Sequence, residues 1–278
     1  VRRAFDRRAT DYDACDVIGV RTRDELLARL DGMPLAPTLV LDVGAGTGHA
    51  TRALRDRFRK ARVIGLDVST RMLAEARRRA SWLRGFDLVC ADAARLPLPD
   101  GSADLVYANL VLPWLADPDG LLAEARRVLR PRGLLTFSTL GPDTLVELRE
   151  AWAGVDDRPH VHPFPDMHDV GDAVVRAGFT GPVLDADRVT VTYGDVQALY
   201  RDLRGSGGGN RLAGRQPALT GRGRLAEVAA HYEARRNADG RLPATCEIIY
   251  GHAWRPDGEA PPRGSRETVV PLAAIRRR

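Results

Sequence analysis

A β-prone run, Leu39-Val40-Leu41-Asp42-Val43, ends directly in Gly44-Ala45-Gly46-Thr47-Gly48, after which helical patterning resumes from His49 to Lys60. Strand, glycine turn and helix in immediate succession constrain the fold more than anything else in the chain. Glycines let the backbone turn sharply and approach a ligand, and the helix that follows presents free amides and the positive end of its dipole. Further on, Asp67 closes a second apolar run, Val63-Ile64-Gly65-Leu66. That spacing, about twenty residues, is where nucleotide-binding βαβ units put a carboxylate against ribose hydroxyls. His49 occupies the place of the third glycine in a dinucleotide fingerprint, which speaks against a pyrophosphate ligand and for one that needs less room.

Around that unit the pattern alternates. Met72, Leu73 and Ala76 share a helix face behind Ser69, a capping residue type. Strand-like runs recur at 86–90 and 103–107, the second introduced by the turn signal Pro99-Asp100-Gly101-Ser102. Leu121, Leu122, Ala125, Val128 and Leu129 mark a further helix, which Arg130-Pro131-Arg132-Gly133 should end before a fifth strand at 134–138. Strand and helix in turn predict an α/β fold with a parallel, doubly wound sheet. Ahead of it, Leu26, Leu27 and Leu30 indicate a helix over 21–30. Beyond it come helices over 143–152 and 166–177, a strand at 188–193 and a last strand at 245–254. Between those two strands lie two helical patterns split by Gly205-Ser206-Gly207-Gly208-Gly209, a flexible loop or a hinge. The organisation expected is an N-terminal helical lid (1–35), a core (36–193 and 241–255), an inserted helical cap (194–240) and a tail (256–278).

The 278 residues suffice for one well-buried domain with decorations. Hydrophobic residues make up 44% and charged residues 28%, and no apolar run approaches the length that spans a bilayer, so no membrane partner is expected. Opening on valine, the sequence leaves room for residues before Val1, and Val1-Arg2-Arg3-Ala4-Phe5-Asp6 lacks the apolar stretch of a secretory signal. Cys15, Cys90 and Cys246 are odd in number, far apart and outside any C-x-x-C spacing, which speaks against a disulfide framework or zinc site and for a reducing cytoplasm. The net charge of +5 is almost wholly arginine, Lys60 being the sole lysine, so genome bias and an acidic partner both account for it. Nucleic acid is not expected, because no arginine cluster has interleaved aromatics. His160, His162, Asp166 and His168 have the composition of a metal cluster, but histidines two apart alternate faces on a strand and the nearby prolines mark a loop. No metal is expected.

In an open parallel sheet, ligands bind outside the carboxyl ends of the strands. Asp42, Asp67, Asp92 and Asn109 stand at the ends of successive strands and should converge on one crevice, although each is also a type that caps helices and forms turns. This constellation resembles the class I S-adenosylmethionine-dependent methyltransferases, to whose first motif Leu41-Asp42-Val43-Gly44-Ala45-Gly46-Thr47-Gly48 is similar. The resemblance implies a Rossmann-like seven-stranded sheet and S-adenosylmethionine as cofactor. It implies that Gly44 and Gly46 pass the methionine part, that Asp67 holds the ribose, and that Val68 and Met72 pack on the adenine with Asp92 and Ala93 beside it. Asp42, Gly48 and Asn109 would complete the cofactor pocket.

Over nearly the whole chain the sequence further resembles the malonyl-acyl-carrier-protein O-methyltransferases of biotin synthesis. The likeness is carried by Phe5-Asp6-Arg7-Arg8-Ala9-Thr10-Asp11-Tyr12, Asn109-Leu110-Val111-Leu112-Pro113-Trp114, Thr139-Leu140-Gly141-Pro142-Asp143-Thr144-Leu145-Val146-Glu147-Leu148, Val155-Asp156-Asp157-Arg158-Pro159-His160 and Leu242-Pro243-Ala244-Thr245. Ala45 replaces a cysteine frequent in that family, and Pro113 a glutamine. The resemblance implies methylation of the free carboxylate of malonyl-acyl-carrier protein, giving the ester that is elongated towards the pimeloyl precursor of biotin. A carboxylate with a pKa of about 4 is already ionised at neutral pH, so no catalytic base is assigned. Tyr12, Trp114, His160 and Arg204 are the residues expected on the acceptor side; Tyr12 is equally a candidate core aromatic and Arg204 a candidate surface arginine. Arg201, Arg211 and Arg215 of the cap are expected to meet the acidic carrier. Two rivals share the fold. Arg236-Asn237-Ala238-Asp239-Gly240 and the region around His160 also resemble a mitochondrial complex I assembly factor, an arginine hydroxylase-like protein modifier, and a small-molecule methyltransferase would have the same cofactor site.

Overall fold

The computed structural model describes residues 1–80, 85–208 and 221–258. Five strands, β1 (Leu39–Val43), β2 (Arg62–Asp67), β3 (Asp87–Cys90), β4 (Ala103–Asn109) and β5 (Leu129–Leu140), pair in parallel in the order β3-β2-β1-β4-β5. Two long strands, β6 (Thr180–Tyr193) and β7 (Leu242–Trp254), extend the same sheet, β7 lying antiparallel between β5 and β6. Three helices precede β1: α1 (Arg2–Arg8), α2 (Tyr12–Cys15) and α3 (Val17–Ala28). The crossover helices are α4 (His49–Arg57), α5 (Thr70–Arg79) and α6 (Pro118–Val128), followed by α7 (Val146–Ala153) and α8 (Met167–Arg176). Between β6 and β7 come α9 (Val196–Gly205) and α10 (Arg222–Glu233).

The first strand shows why its run has no polar alternation. Val40 packs into a cluster with Leu26 of α3 and Leu54 of α4, whereas Leu41 and Val43 join Leu121, Leu122 and Val128 of α6 on the opposite face. A strand covered on both faces must be apolar throughout. Each such side chain stabilises by about 2 kcal/mol relative to exposure. A third cluster, apart from these two, unites Leu148 and Trp152 of α7, Leu199 of α9, Val228 and Tyr232 of α10, and Leu242 of β7. Side-chain caps start α5 (Ser69, accepting from the Met72 N–H), α6 (Asp117), α8 (Asp166) and α9 (Asp195).

Three elements depart from the sequence expectation. Helix α3 starts at Val17 rather than near residue 21, because its first turn is set by contacts with the strand ends and not by leucine spacing. The segment expected to end the fourth crossover, Arg130-Pro131-Arg132-Gly133, lies within β5 as an outward excursion. Ala103 faces Leu129 and Leu105 faces Leu134, with Arg132 in the left-handed region at φ 61° between them. The exchanged pairs Arg132 N–H to Arg255 O and Arg255 N–H to Gly133 O fasten that excursion to the end of β7. Strand β6 begins at Thr180, eight residues earlier than expected; Gly181-Pro182 sits in a bulge of this edge strand, where a missing donor is tolerated. Among the described residues no helix is long and apolar enough to cross a membrane.

Gly48, at φ 86°, opens α4 and packs against α5: a Cβ built there would lie 2.7 Å from the Ala76 Cβ and 2.9 Å from its Cα. Gly240 has a similar φ of 69° but open space around it. Gly240→Ala should therefore cost about 1 kcal/mol of backbone strain, and Gly48→Ala roughly 3 kcal/mol through strain plus overpacking. Thermal unfolding of the two variants checks this; equal losses would mean that the helix contact is unimportant.

Candidate active site

Strand order reverses between β1 and β4, and at the carboxyl ends of these strands lies a cavity of about 1030 Å³. That is the upper end of the range for small-molecule sites, about 300–1,000 Å³, and leaves room for a nucleoside and an acceptor together. Asp42, Gly44, Gly46, Asp67, Val68, Met72, Asp92, Ala93 and Asn109 line it, as do Tyr12, Trp114, His160 and Arg204. Gly48, between the lining residues Thr47 and His49, packs against α5 instead of lining the cavity itself.

The turn after β1 is built from the backbone outwards. The amides of Gly44 and Ala45 donate to Leu66 O at 2.7 and 2.9 Å, and the Gly46 amide donates to Asp67 Oδ2 at 2.9 Å. Gly44 has φ 72°, and a Cβ there would lie 2.4 Å from the Val111 side chain. At Gly46 the nearest heavy atom to such a Cβ is the Gly44 carbonyl, 3.9 Å away. The turn is thus crowded on one side and open on the other. Asp67 Oδ1 accepts from the Ser69 amide at 2.8 Å. A carboxylate can accept about four hydrogen bonds, so these two leave capacity for a pair of hydroxyls. Burial pushes the Asp67 pKa up against these amide donors.

Asp42 is 1% exposed and takes the Thr51 hydroxyl on Oδ2 at 2.5 Å. Burial pushes its pKa up to about 7, opposed by the Thr51 hydrogen bond and reinforced by the Asp67 charge. Asn109 spends its amide on the fold: Nδ2 donates to Gly19 O at 3.2 Å and Oδ1 accepts from the Ser138 hydroxyl at 2.8 Å. It therefore locks the start of α3 to the ends of β4 and β5. Asp92 accepts from the Ala94 amide at 3.0 Å, Ala93 is buried, and Met72 is 1% exposed.

Helices α1 to α3 close the cavity from above through contacts that the sequence did not reveal. Asp13 Oδ1 takes the Thr47 hydroxyl at 2.6 Å, its Oδ2 pairs with Arg79, and His49 Nε2 stands 3.3 Å away. Burial works against this carboxylate, but the Thr47 hydrogen bond and the Arg79 and His49 charges outweigh it and hold its pKa below the ordinary value. Asp6 takes the Ser69 hydroxyl at 2.6 Å. Tyr12 donates to Asp16; burial first and that carboxylate second hold the phenol far above its usual pKa. Burial likewise pushes Asp16 up to about 7. Phe5 meets Tyr12 and Trp114 edge-on, with ring centroids 6.1 and 5.1 Å apart. The ties of Asp13, Asp6 and Phe5 to Thr47, Arg79, Ser69 and Trp114 join positions dozens of residues apart, so no local pattern could have announced them.

On the far side, His160 lies flat on Trp152 at 3.5 Å, with Nε2 2.8 Å from Asp156 Oδ1. Arg204 is exposed, its Nε bonded to Tyr200 O at 3.0 Å. Arg201 is also exposed, on α9; Arg211 and Arg215 lie outside the described residues. Among the described residues no group of three or more His, Cys, Asp or Glu side chains is arranged to hold a metal ion.

Residues 41–137 match the model of a methyltransferase domain. The chain is 49% identical over 285 residues to the malonyl-[acyl-carrier protein] O-methyltransferase of Methylovorus sp. (strain MP688), covering 96% of each chain. It is also 49% identical to the protein of that name from Laribacter hongkongensis, covering 92% of this chain and 89% of the relative. Among solved structures, the YcgJ protein of Bacillus subtilis superposes with a TM-score of 0.62 at 17% identity, covering 86% of this chain and all of the other, which establishes the shared fold.

The raised carboxyl of Asp42 has a consequence for stability. It stays protonated in the folded chain up to about pH 7 but ionises near 3.8 once unfolded. Its contribution is therefore full below the unfolded pKa and is lost as the pH climbs towards 7, with a limiting slope of about 1.4 kcal/mol per pH unit. Asp16 titrates in the same window. Asp42→Asn should flatten, without abolishing, the fall in Tm between pH 4 and pH 7; a slope identical to that of the unaltered chain would refute the assignment.

Proposed function

The chain belongs to the malonyl-[acyl-carrier protein] O-methyltransferases, and from that premise we infer how its residues carry the reaction. It is an S-adenosylmethionine-dependent O-methyltransferase that esterifies the free carboxylate of malonyl-acyl-carrier protein. The bound cofactor supplies an electrophilic methyl group. The observation that carries our reading of the site is the Asp67 carboxylate, anchored by the Gly46 and Ser69 amides beside a cavity large enough for both reactants.

In this reading Asp67 accepts the ribose hydroxyls, the Gly44–Gly46 turn passes the amino-acid end, Val68 and Met72 cover the adenine, and Asp92 with Ala93 borders its edge. Asp42 and Asn109 hold the strand ends in register around it. Tyr12 and Trp114 face the acceptor, with Phe5 bracing both rings. In the same reading His160 and Arg204, which line the cavity, meet the thioester or carboxylate. The malonyl carboxylate is a nucleophile without help, so the protein's task is alignment and the exclusion of water. Helices α1 to α3 serve that exclusion through Asp6 and Asp13. The ester enters elongation towards the pimeloyl part of biotin, and the chain works in the cytoplasm; its three cysteines are unbridged. Arg201 on α9, with Arg211 and Arg215, receives the acidic carrier.

Two measurements test these assignments. With labelled cofactor, transfer should occur to malonyl-carrier protein and not to an acetyl-carrier control, and Asp67→Ala should weaken binding of the demethylated cofactor at least about tenfold by calorimetry, the loss of a charge-assisted contact. Undiminished binding would remove Asp67 from the ribose. Arg201→Glu should raise the KM for the carrier-bound substrate several-fold while sparing that for malonyl-coenzyme A; an equal effect on both would rule out a carrier contact.

A further inference from the structure

The cavity continues beyond the methyl-transfer region into a half walled by α7, α9 and α10. Its wall there is largely apolar, with Leu148, Leu199 and Leu225 facing the space beside the stacked rings of Trp152 and His160. Asp202 and Arg204 of α9 also line it, and two further polar features bear on what it can hold. The hydroxyl of Tyr200 on α9 is buried beside the Trp152 indole, whose N–H can only donate to it, so its own proton has no acceptor. A buried donor left in that state is costly, and such groups are normally satisfied by protein, water or ligand. At the rim, Arg158 and Arg224 are both exposed and both line the cavity. They come from different elements but are tethered to one carboxylate: Asp156 Oδ1 accepts the Arg158 amide at 3.0 Å, and Asp156 Oδ2 lies 3.5 Å from Arg224 Nη1. The same Asp156 orients His160, so wall and rim form one assembly.

An apolar passage with one buried hydroxyl donor inside and two guanidinium groups at its mouth suits a slender arm that carries amide carbonyls along its length and a phosphodiester at its outer end. We propose that this half of the cavity is a pantetheine subsite, in which Tyr200 Oη donates to an amide carbonyl of the arm while Arg158 and Arg224 grip its phosphate. The proposal deepens the reaction inferred above and rests on it. A carrier protein and coenzyme A both present this arm, so the chemistry is common to the two sources. The reacting carboxylate then enters first and the thioester trails along the Trp152–His160 wall.

Four malonyl thioesters separate the contributions: carrier-bound, coenzyme A, pantetheine (no phosphate) and ethanethiol (no amide). The reading is the ratio of kcat/KM between two substrates within one preparation, so a partly unfolded variant cannot mimic the effect. Joint replacement by Arg158→Gln and Arg224→Gln should lower the preference for coenzyme A and for carrier over pantetheine, each by about tenfold or more, as expected for lost charge-assisted contacts. The single replacements should give intermediate losses. Tyr200→Phe should lower the preference for pantetheine over ethanethiol roughly threefold to tenfold, the worth of one neutral hydrogen bond. Unchanged ratios with methyl transfer intact would overturn the subsite. A loss confined to the carrier-bound substrate would also overturn it, placing the arginines against the carrier's surface instead. Absence of transfer to every malonyl thioester would remove the parent reaction, a result distinct from either.

Discussion

The carboxylate of Asp67 makes one pocket out of two chain segments. Through Oδ2 it holds the Gly46 amide and keeps the turn after β1 against the end of β2; through Oδ1 it holds the Ser69 amide. Ser69 then caps α5 by accepting from the Met72 amide at 3.1 Å, which brings the buried Met72 to the cavity wall. Burial raises the pKa of Asp67, and the amide donors around it oppose that rise. The Gly46 and Ser69 amides have their positions fixed in return, so the placement of the donors and the geometry of the turn depend on each other.

The N-terminal helices contact the same two loops. Asp13 takes the hydroxyl of Thr47, next to Gly46, and Asp6 takes the hydroxyl of Ser69, next to the second amide. The N-terminal helices are thereby seated on the residues that grip Asp67, and the aromatic group of Phe5, Tyr12 and Trp114 follows from that seating. Two non-glycine residues lining the cavity, Leu110 and Leu145, adopt left-handed backbone at φ 53° and 55°. Such conformations cost of order 1–3 kcal/mol each and persist where neighbours over-determine them. The Leu110 amide is held by both oxygens of Ser138, and the Leu145 amide by Thr245 O. Glu147 secures Thr245 in turn, taking its amide at 3.0 Å and its hydroxyl at 2.5 Å. Strained backbone at both cavity walls is thus kept in place by the sheet behind it.

Much of the cofactor half was legible because its determinants are local. A buried strand, a turn that needs positive φ, and a helix start are encoded within ten consecutive residues, and Ser69 announces a cap by its type alone. At Gly48 the glycine also answers the approach of α5, a neighbour that the motif does not mention. The excursion at residues 130–133 reads as a helix stop because proline and glycine usually are one, yet pairing with Arg255 keeps it within the strand. The Gly181-Pro182 pair hides the first half of β6 for a similar reason, since only an edge position next to β7 makes it acceptable. His160 was a candidate on resemblance; the Trp152 stack and the Asp156 contact that orient it became visible only in three dimensions.

By itself the sequence determined the α/β class, the order of the parallel strands' flanking elements, the glycine turn and the acid at the end of the second strand. These depend on periodicity, backbone freedom and residue spacing, all of which act over a few turns of chain. The tertiary structure alone decided which donors satisfy the buried carboxylates, how the N-terminal helices are tied down, where strain is held, and how far the cavity runs under α7, α9 and α10. Those outcomes are settled by desolvation: once burial makes an unpaired polar group expensive, its partner is whichever group the fold brings within 3 Å or so, however distant in the chain.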